Sequence, residues 1–169
     1  MISHYQLRAM TASDISAIDN QFLKQHWGSR HESLTDYFKQ QQTGQRWVFV
    51  AETAGEVAGY VTLLPSALHG PFENRYPEIA DFNVFEAFQR QGIGNRLLQQ
   101  AENTAKSFSD IVTLGVGLHP GYGPAQRLYC KRGYLPDGSG VWYHNRRLAM
   151  GEPCRNDDDL VLYLAKRLR

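Results

Sequence analysis

Residues 89–94, which read QRQGIG, limit the fold of this chain more than any other segment. They separate an apolar run at 79–85 from an amphipathic stretch that begins near Gly92. Glycines let the backbone turn tightly and approach a ligand, and the first N–H groups of a helix attract phosphate. The segment therefore predicts a strand, a diphosphate-binding loop and a helix, although a tight turn without a ligand fits the same pattern.

Hydrophobic periodicity divides the rest of the chain into strands and helices. We expect helices at 13–23, with Ser13 as N-cap, at 32–42, from 92 to before 111, and at 124–131. We expect strands at 4–10, 47–51, 57–63, 78–85, 111–118, 141–148 and 160–168. These elements predict a mixed sheet with helices on both of its faces.

A second motif lies at residues 125–134, which read AQRLYCKRGY. Tyr129 stands near the end of a predicted helix, and Gly133 and Tyr134 follow it. Together with residues 89–94, this segment resembles motifs A and B of the GNAT superfamily of N-acetyltransferases. Motif A has Gln or Arg, two residues, Gly, one residue, and Gly or Ala, whereas motif B has a helix that ends in Tyr before Gly and an aromatic residue. The resemblance extends from about Pro77 to Tyr134.

The resemblance implies an α/β (α+β) fold with a GNAT-like mixed, mostly antiparallel central sheet of about seven strands, flanked by helices on both faces. It implies a single N-acetyltransferase domain over residues 1–169. The implied activity is acetyl-CoA-dependent transfer of an acetyl group to a primary amine by direct attack in a ternary complex, without a metal. Cys130 has no evident His partner in the sequence, so a covalent enzyme intermediate has little support.

The resemblance also implies how coenzyme A is held. Backbone N–H groups of the glycine loop would bind its pyrophosphate, and the backbone of the preceding strand would bind its pantetheine arm. The expected cofactor-binding residues are Phe82, Asn83, Val84, Gln89, Arg90, Gln91, Gly92, Ile93, Gly94 and Asn95. This chain has Tyr122 where many family members have an asparagine that contacts the cofactor arm. The sequence therefore does not predict which residues contact that end of the cofactor.

An alkyl amine must lose a proton before it attacks, because its pKa of about 10.4 keeps it almost fully protonated at neutral pH. In the family this proton is often taken by a glutamate at the start of the strand that enters the loop, which corresponds to Glu78. Asp81 is the rival candidate. Strand alternation places the two carboxylates on opposite faces, so we expect only one of them to act on the amine. A surface or core-capping carboxylate is the alternative for each.

Tyr129 matches the motif B tyrosine, which in many family members donates its phenolic proton to the leaving thiolate. Helical spacing alone also fits a core aromatic, since Ala125, Leu128, Tyr129 and Arg132 share one face. Protonation of a thiolate of pKa about 8.5 by a phenol of pKa about 10 is uphill by about 2 kcal/mol. We therefore expect Tyr129 to act mainly as a hydrogen-bond donor to the developing charge.

Composition limits the remaining functional classes. With 169 residues, 42% of them hydrophobic and 21% charged, the chain suits one globular domain. A net charge of +1 gives no signature of nucleic-acid binding, and no apolar run has the length of a membrane span. The six histidines and two cysteines show no metal-ligand spacing. We expect a cytoplasmic protein whose partner is a small-molecule or peptide amine, with no nucleic-acid or membrane partner; a homodimer stays open.

Several other functions are compatible with the two motifs. A catalytically silent acyl-CoA-binding or sensor module would keep Gly92 and Gly94 but would not depend on Tyr129 or Glu78. The enzyme alternative is an acyltransferase with another acyl donor or an O-acceptor. A dinucleotide-binding protein is disfavoured, because the acidic residue at the required spacing, Asp110, precedes its strand instead of ending it.

Overall fold

The computed structural model describes residues 5–169 of the chain. Its helices are α1 (Ala12–Lys24), α2 (His31–Gln42), α3 (Ile93–Lys106) and α4 (Gly123–Lys131). Its strands are β1 (Tyr5–Ala9), β2 (Trp47–Thr53), β3 (Glu56–Leu64), β4 (Glu78–Val84), β5 (Ile111–Gly117), β6 (Leu135–Tyr143), β7 (Arg146–Arg147) and β8 (Leu160–Arg167). Two short 3-10 helices lie at Glu86–Phe88 and Pro120–Tyr122.

The strands follow the order β1-β2-β3-β4-β5-β8-β6-β7 in an eight-stranded sheet. The pairs β1 with β2, β2 with β3, β5 with β8, β6 with β8 and β6 with β7 are antiparallel. The pair β4 with β5 is parallel. The predicted α/β fold with a mixed, mostly antiparallel sheet is therefore confirmed. Within residues 5–169 the sheet has eight strands instead of about seven, because the chain turns after β6 and adds the short β7.

The described chain divides into two compact units. The first unit contains the described residues up to Leu64 together with Ala80–Thr104, and the second contains Pro65–Ile79 together with Ala105–Arg169. The strand β4 thus contributes Glu78 and Ile79 to the second unit and its remaining residues to the first. The single domain expected from the sequence stays a prediction.

The first unit packs helices against both faces of β3, because alternate residues of a strand point to opposite sides. Tyr60 packs against Phe22 of α1, with ring centroids 6.2 Å apart. The next residue towards the start of the strand, Gly59, faces Leu97 of α3: a Cβ there would lie 3.3 Å from the Leu97 Cδ1 atom. The buried core around Phe22 consists of Met10, Ile18, Phe22, Leu34, Val48, Val50, Val57, Tyr60 and Phe85.

The second unit contains a smaller core made largely of aromatic rings. We call Phe72, Tyr76, Trp142 and Tyr163 the aromatic cluster. Phe72 and Tyr163 are buried, whereas Tyr76 and Trp142 are partly buried and pack against them. This cluster joins the irregular segment 65–77 to β6 and β8 within the same unit.

The predicted start of α1 is wrong. We expected Ser13 as the N-cap, whereas the helix begins at Ala12 and Thr11 is its N-cap. The reason is the Asp14 carboxylate, which accepts hydrogen bonds from the N–H (2.7 Å) and the hydroxyl (2.9 Å) of Thr11. The strand predicted at 4–10 is present as β1, which ends at Ala9 instead of Met10, and His4 lies outside the described residues.

The strand predicted at 141–148 is wrong at both ends, since β6 covers Leu135–Tyr143. Its first half resembles a loop in sequence because Gly138 and Gly140 interrupt it. Both glycines have positive φ angles, 86° and 81°, and lie in a bulge where the register with β8 shifts. The strand ends because His144 and Asn145, with φ angles of 48° and 61°, turn the chain into β7.

Replacement of Asp14 by Asn is expected to lower the free energy of unfolding at pH 7 by about 2 kcal/mol. Two nitrogens of Arg8 contact the Asp14 carboxylate, at 2.6 and 2.8 Å, and the Asp14 side chain is 3% exposed. The amide of the variant would remove one of the two carboxylates that Arg8 contacts and would leave only Glu52, at 2.7 Å. Unfolding in urea, followed by circular dichroism, measures the difference.

The effect of this substitution should shrink as the pH falls. Burial acts to raise the pKa of Asp14, but Arg8 and Thr11 together hold that pKa below its ordinary value. A carboxyl group with a lowered folded-state pKa stabilises the protein fully above its unfolded pKa of about 3.9 and loses this effect as the pH falls through the folded value. A stability difference between Asp14→Asn and wild type that stays constant down to pH 2 would contradict the assignment.

Candidate active site

The loop that leads into α3 has the geometry of an anion site at a helix N-terminus. Gly92, directly before the helix, has a φ of 81°, and Arg90 has a φ of 63°. The N–H of Arg96 donates to the carbonyl of Gly92 (3.3 Å). The N–H groups of residues 93–95 therefore precede the repeating helical hydrogen bonds and lie at the positive end of the helix dipole.

Space for a ligand lies directly outside Gly92. A Cβ at this position would have no atom within 4 Å. Residues 89–92 are exposed, whereas Ile93 is buried and anchors the start of the helix. Gln89 fastens the loop to β4, because its side-chain NH2 donates to the carbonyl of Val84 (2.9 Å). A helix N-terminus beside an open glycine is a place where a phosphate group can bind, and the predicted contact with coenzyme A stays a prediction.

The end of β4 carries the backbone that we expected to bind the pantetheine arm. Residues 82–84 are partly exposed. The ladder between β4 and β5 consists of the pairs Glu78–Thr113 and Ile79–Leu114, so residues 82–84 lie beyond it. The Asn83 side chain donates to Asp81 (3.0 Å), and the backbone contact predicted for residue 83 stays a prediction.

Asp81 accepts four hydrogen bonds within the first unit. Its Oδ2 atom accepts from a guanidinium nitrogen of Arg30 at 3.0 Å. The same oxygen accepts from the hydroxyl groups of Tyr60 (2.8 Å) and Tyr37 (3.2 Å), and Oδ1 accepts from Asn83. The Asp81 side chain is 11% exposed. A carboxylate has about four acceptor sites, so this group is engaged by its protein partners.

The two tyrosines at Asp81 act as hydrogen-bond donors. Burial, and after it the negative charge of Asp81, raises the pKa of both Tyr37 and Tyr60. Both phenols are therefore neutral at neutral pH. Sequence reasoning did not identify these partners, because Tyr60 lies in an apolar strand and Arg30 and Tyr37 lie near the start of the chain. The one available signal was that a buried tyrosine hydroxyl needs a polar partner.

Glu78 is the first residue of β4 and belongs to the second unit. It is partly exposed and pairs with Thr113 of β5. Its charge acts on Tyr163 of β8: burial and then the negative charge of Glu78 raise the pKa of that phenol to about 12. Sequence reasoning did not select Tyr163, because nothing in the sequence distinguishes it from the other residues of a predicted strand.

Tyr129 lies on the buried side of α4 and is 6% exposed. Its ring stands edge-on to Tyr134, with centroids 5.8 Å apart and an interplanar angle of 60°. The N–H of Tyr134 donates to the carbonyl of Tyr129 (3.0 Å), and the turn between them contains Gly133 with a φ of 89°. The Tyr, Gly and aromatic residue of the second motif therefore form one local structure.

Tyr122, which replaces the family asparagine, contacts another part of the second unit. Its hydroxyl donates to Oδ1 of Asp158 (3.0 Å), and Nε2 of His119 lies 2.8 Å from the same oxygen. These two hydrogen bonds lower the pKa of Asp158. The Tyr122 ring lies against Gly117, where a Cβ would be 2.3 Å from a ring carbon. These contacts join Asp158, which lies shortly before β8, to the 3-10 helix at Pro120–Tyr122.

The sequence matches the model of the Acetyltransferase (GNAT) family over residues 13–134, which is more than half of the chain. The chain belongs to this GNAT family. The matched region includes β4, the loop at Gly92 and the motif at Tyr129–Tyr134, so the resemblance inferred from the two motifs is confirmed. No curated protein matches the sequence.

Solved GNAT structures share the fold of this GNAT protein. An N-acetyltransferase from Staphylococcus aureus Mu50 has a TM-score of 0.74 at 16% identity, covering 99% of this chain and 100% of that one. The ribosomal-protein-S18-alanine N-acetyltransferase from Escherichia coli has a TM-score of 0.69 at 14% sequence identity, and the match covers 98% of this chain and 94% of that one. The spermidine N-acetyltransferase from Vibrio cholerae in complex with CoA and spermine has a TM-score of 0.68 at 18% sequence identity, and the match covers 98% of this chain and 96% of that one. At these identities the likeness concerns the fold.

Two further properties of this GNAT protein concern metals and membranes. Among residues 5–169, no three His, Cys, Asp or Glu side chains are grouped so that they could hold a metal ion. The metal-free reaction expected from the sequence stays a prediction. No helix in the described part of the chain combines the length and the apolar character that a membrane span requires.

Proposed function

We propose that this GNAT protein is an acetyl-CoA-dependent N-acetyltransferase that moves an acetyl group to a primary amine by direct attack in a ternary complex. The observation that carries the proposal is the helix N-terminus at Gly92, where a positive φ and open space around this glycine lie beside the first turn of α3. The relatives named above support an amine as the acceptor. One is a spermidine N-acetyltransferase, and another is named for the alanine of ribosomal protein S18.

The reaction requires three tasks, and different residues of the chain carry out each of them. Acetyl-CoA, when bound, supplies an activated thioester. The backbone of residues 82–84 and 89–95 positions this thioester. Glu78, directly or through a water molecule, accepts the proton that the acceptor ammonium loses before its nitrogen attacks the acetyl carbon. Tyr129 donates a hydrogen bond to the sulfur as the carbon–sulfur bond breaks and negative charge develops there. The thiolate then takes up the second proton, which the new amide nitrogen loses, and leaves as the free thiol of coenzyme A.

We assign the proton acceptor to Glu78 and a structural role to Asp81. Asp81 accepts four hydrogen bonds and pairs with Arg30, so its protonation would leave a guanidinium without its partner. Glu78 is partly exposed at the start of β4. Of the two carboxylates weighed from the sequence, Asp81 therefore stabilises the first unit, and Glu78 suits proton transfer.

Calorimetric titration with acetyl-CoA and free coenzyme A, followed by a thiol-release assay, tests the proposal. The acceptor panel should contain spermidine, free amino acids, an aminoglycoside and a peptide with N-terminal alanine. We expect both cofactor forms to bind and at least one amine to stimulate thiol release. Absence of binding heat would overturn the proposal. Binding without turnover of any acceptor would indicate an acyl-CoA-binding module, and turnover of alcohols alone would indicate an O-acyltransferase.

A further inference from the structure

The aromatic cluster of the second unit ends in a polar group, the hydroxyl of Tyr163. The Tyr163 ring stands edge-on to Trp142, with centroids 5.6 Å apart and an interplanar angle of 83°. It also stands edge-on to Phe72, with ring centroids 6.5 Å apart and an interplanar angle of 82°. Edge-on contacts are directional, so they fix the orientation of the ring and hence of its hydroxyl.

Two glycines allow the Tyr163 ring to lie directly against the backbone. A Cβ on Gly70 would be 2.5 Å from Cζ and 2.8 Å from the hydroxyl oxygen of Tyr163. Gly115 pairs with Tyr163 across the sheet, and a Cβ there would be 3.2 Å from Cε1. A larger residue at Gly70 would displace the hydroxyl end of the ring. The position of this hydroxyl is therefore determined by the surrounding structure.

The Tyr163 hydroxyl is accessible although the residue is only 6% exposed. Within residues 5–169 this hydroxyl has no hydrogen-bond partner, yet in the same range every fully buried side-chain oxygen or nitrogen has one. The oxygen must therefore reach solvent at the edge of the cluster. A fixed hydroxyl without a protein partner is available to a ligand.

Glu78 lies on the same face of the sheet as Tyr163. It pairs with Thr113, which pairs on its other side with Ala165 of β8. Tyr163 precedes Ala165 by two residues, so strand alternation places all of these side chains on one face. The raised pKa of Tyr163 agrees with this proximity and keeps the phenol neutral at neutral pH, when it can both donate and accept a hydrogen bond.

We propose that Glu78, the hydroxyl of Tyr163 and the indole of Trp142 bind the protonated amine of the acceptor, which is a primary alkyl ammonium group. This inference rests on the proposed function and specifies its acceptor as a cation. The carboxylate supplies the opposite charge, the phenol accepts from an ammonium N–H, and the indole face attracts cations. The cluster already holds one cation on its rim, since Cζ of Arg75 lies 5.3 Å from the Tyr76 ring centroid.

Three probes with the same alkyl chain test this site: n-hexylamine, 1-hexanol and hexanoate. Their binding to the coenzyme A-loaded protein is measured by ligand-observed nuclear magnetic resonance. We expect hexylamine to bind at least about tenfold more tightly than hexanol, because the ammonium adds a charge-assisted hydrogen bond, and hexanoate to bind most weakly. Glu78→Gln should remove the preference for the amine over the alcohol.

Tyr163→Phe keeps the ring and removes the hydroxyl, so it should weaken hexylamine binding about tenfold. Coenzyme A affinity should stay unchanged. Tyr5→Phe on the edge strand β1 removes a hydroxyl elsewhere and serves as the matched control, with wild-type binding of all probes expected.

Equal binding of amine and alcohol by the wild type, or wild-type amine binding by Tyr163→Phe, would overturn the inference, as would absence of hexylamine binding. If Tyr163→Phe does not fold, Glu78→Gln decides alone, because Glu78 is partly exposed and lies outside the buried part of the cluster. Binding is measured without turnover, so the two proposals fail separately. Binding of hexylamine by a protein that releases no thiol with any acceptor of the panel would support this site and count against the proposed function.

Discussion

Replacement of Tyr129 by Phe is expected to lower kcat about 100-fold, the effect of removing one preorganised hydrogen-bond donor at a developing negative charge. The phenylalanine ring keeps the edge-on contact with Tyr134, and the backbone hydrogen bond from Tyr134 does not involve the side chain. The fold should therefore be retained. Because the donor acts mainly as charge develops on sulfur, the KM for acetyl-CoA should change by less than about threefold. Steady-state thiol release with the preferred amine measures both parameters.

Tyr134→Phe is the matched control for this experiment. Tyr134 is fully buried in contact with Tyr129, so the variant removes a second hydroxyl from the same local structure. We expect it to lose some stability and to keep kcat within about threefold. A similar loss of kcat in both variants would show that Tyr129 contributes through packing. A raised KM with unchanged kcat in Tyr129→Phe would show that its hydroxyl holds the cofactor before the reaction.

The loop at Gly92 could be predicted from the sequence because its structure depends on neighbouring residues. A positive φ, as at Gly92, is adopted most easily by a residue without a Cβ, and the helical spacing of the apolar residues of α3 can be recognised within that segment alone. The apolar positions that indicated this helix, Ile93, Leu97, Leu98 and Ala101, are all buried. Local chemistry and the packed structure therefore agree over this segment.

The partners of Asp81 could not be predicted, because they lie far from it along the chain. Tyr60, Tyr37 and Arg30 are 21, 44 and 51 positions away. Periodicity places each residue on an element, but it does not say which elements meet or in what register. The same limit applies to Tyr163, whose approach to the backbone depends on Gly70 and Gly115 at a distance in sequence.

Replacement of Gly92 by Ala is expected to weaken coenzyme A binding about 100-fold, which corresponds to the loss of about two charge-assisted hydrogen bonds. The new methyl group meets no protein atom within 4 Å, so it projects into the space proposed for the diphosphate. The φ of 81° also makes the variant strained, by about 1 to 2 kcal/mol for a residue with a Cβ. Calorimetric titration with coenzyme A measures the affinity, and urea unfolding measures the strain.

Gly55→Ala separates the strain from the loss of ligand space. Gly55 lies in the turn between β2 and β3, has a φ of 79°, and also has no atom within 4 Å of an added Cβ. Both variants should lose similar unfolding free energy, but Gly92→Ala alone should lose coenzyme A affinity. Pantetheine, which lacks the diphosphate, should bind both variants equally. Equal losses of coenzyme A affinity would assign the effect to backbone strain, and wild-type affinity in Gly92→Ala would place the diphosphate away from this loop.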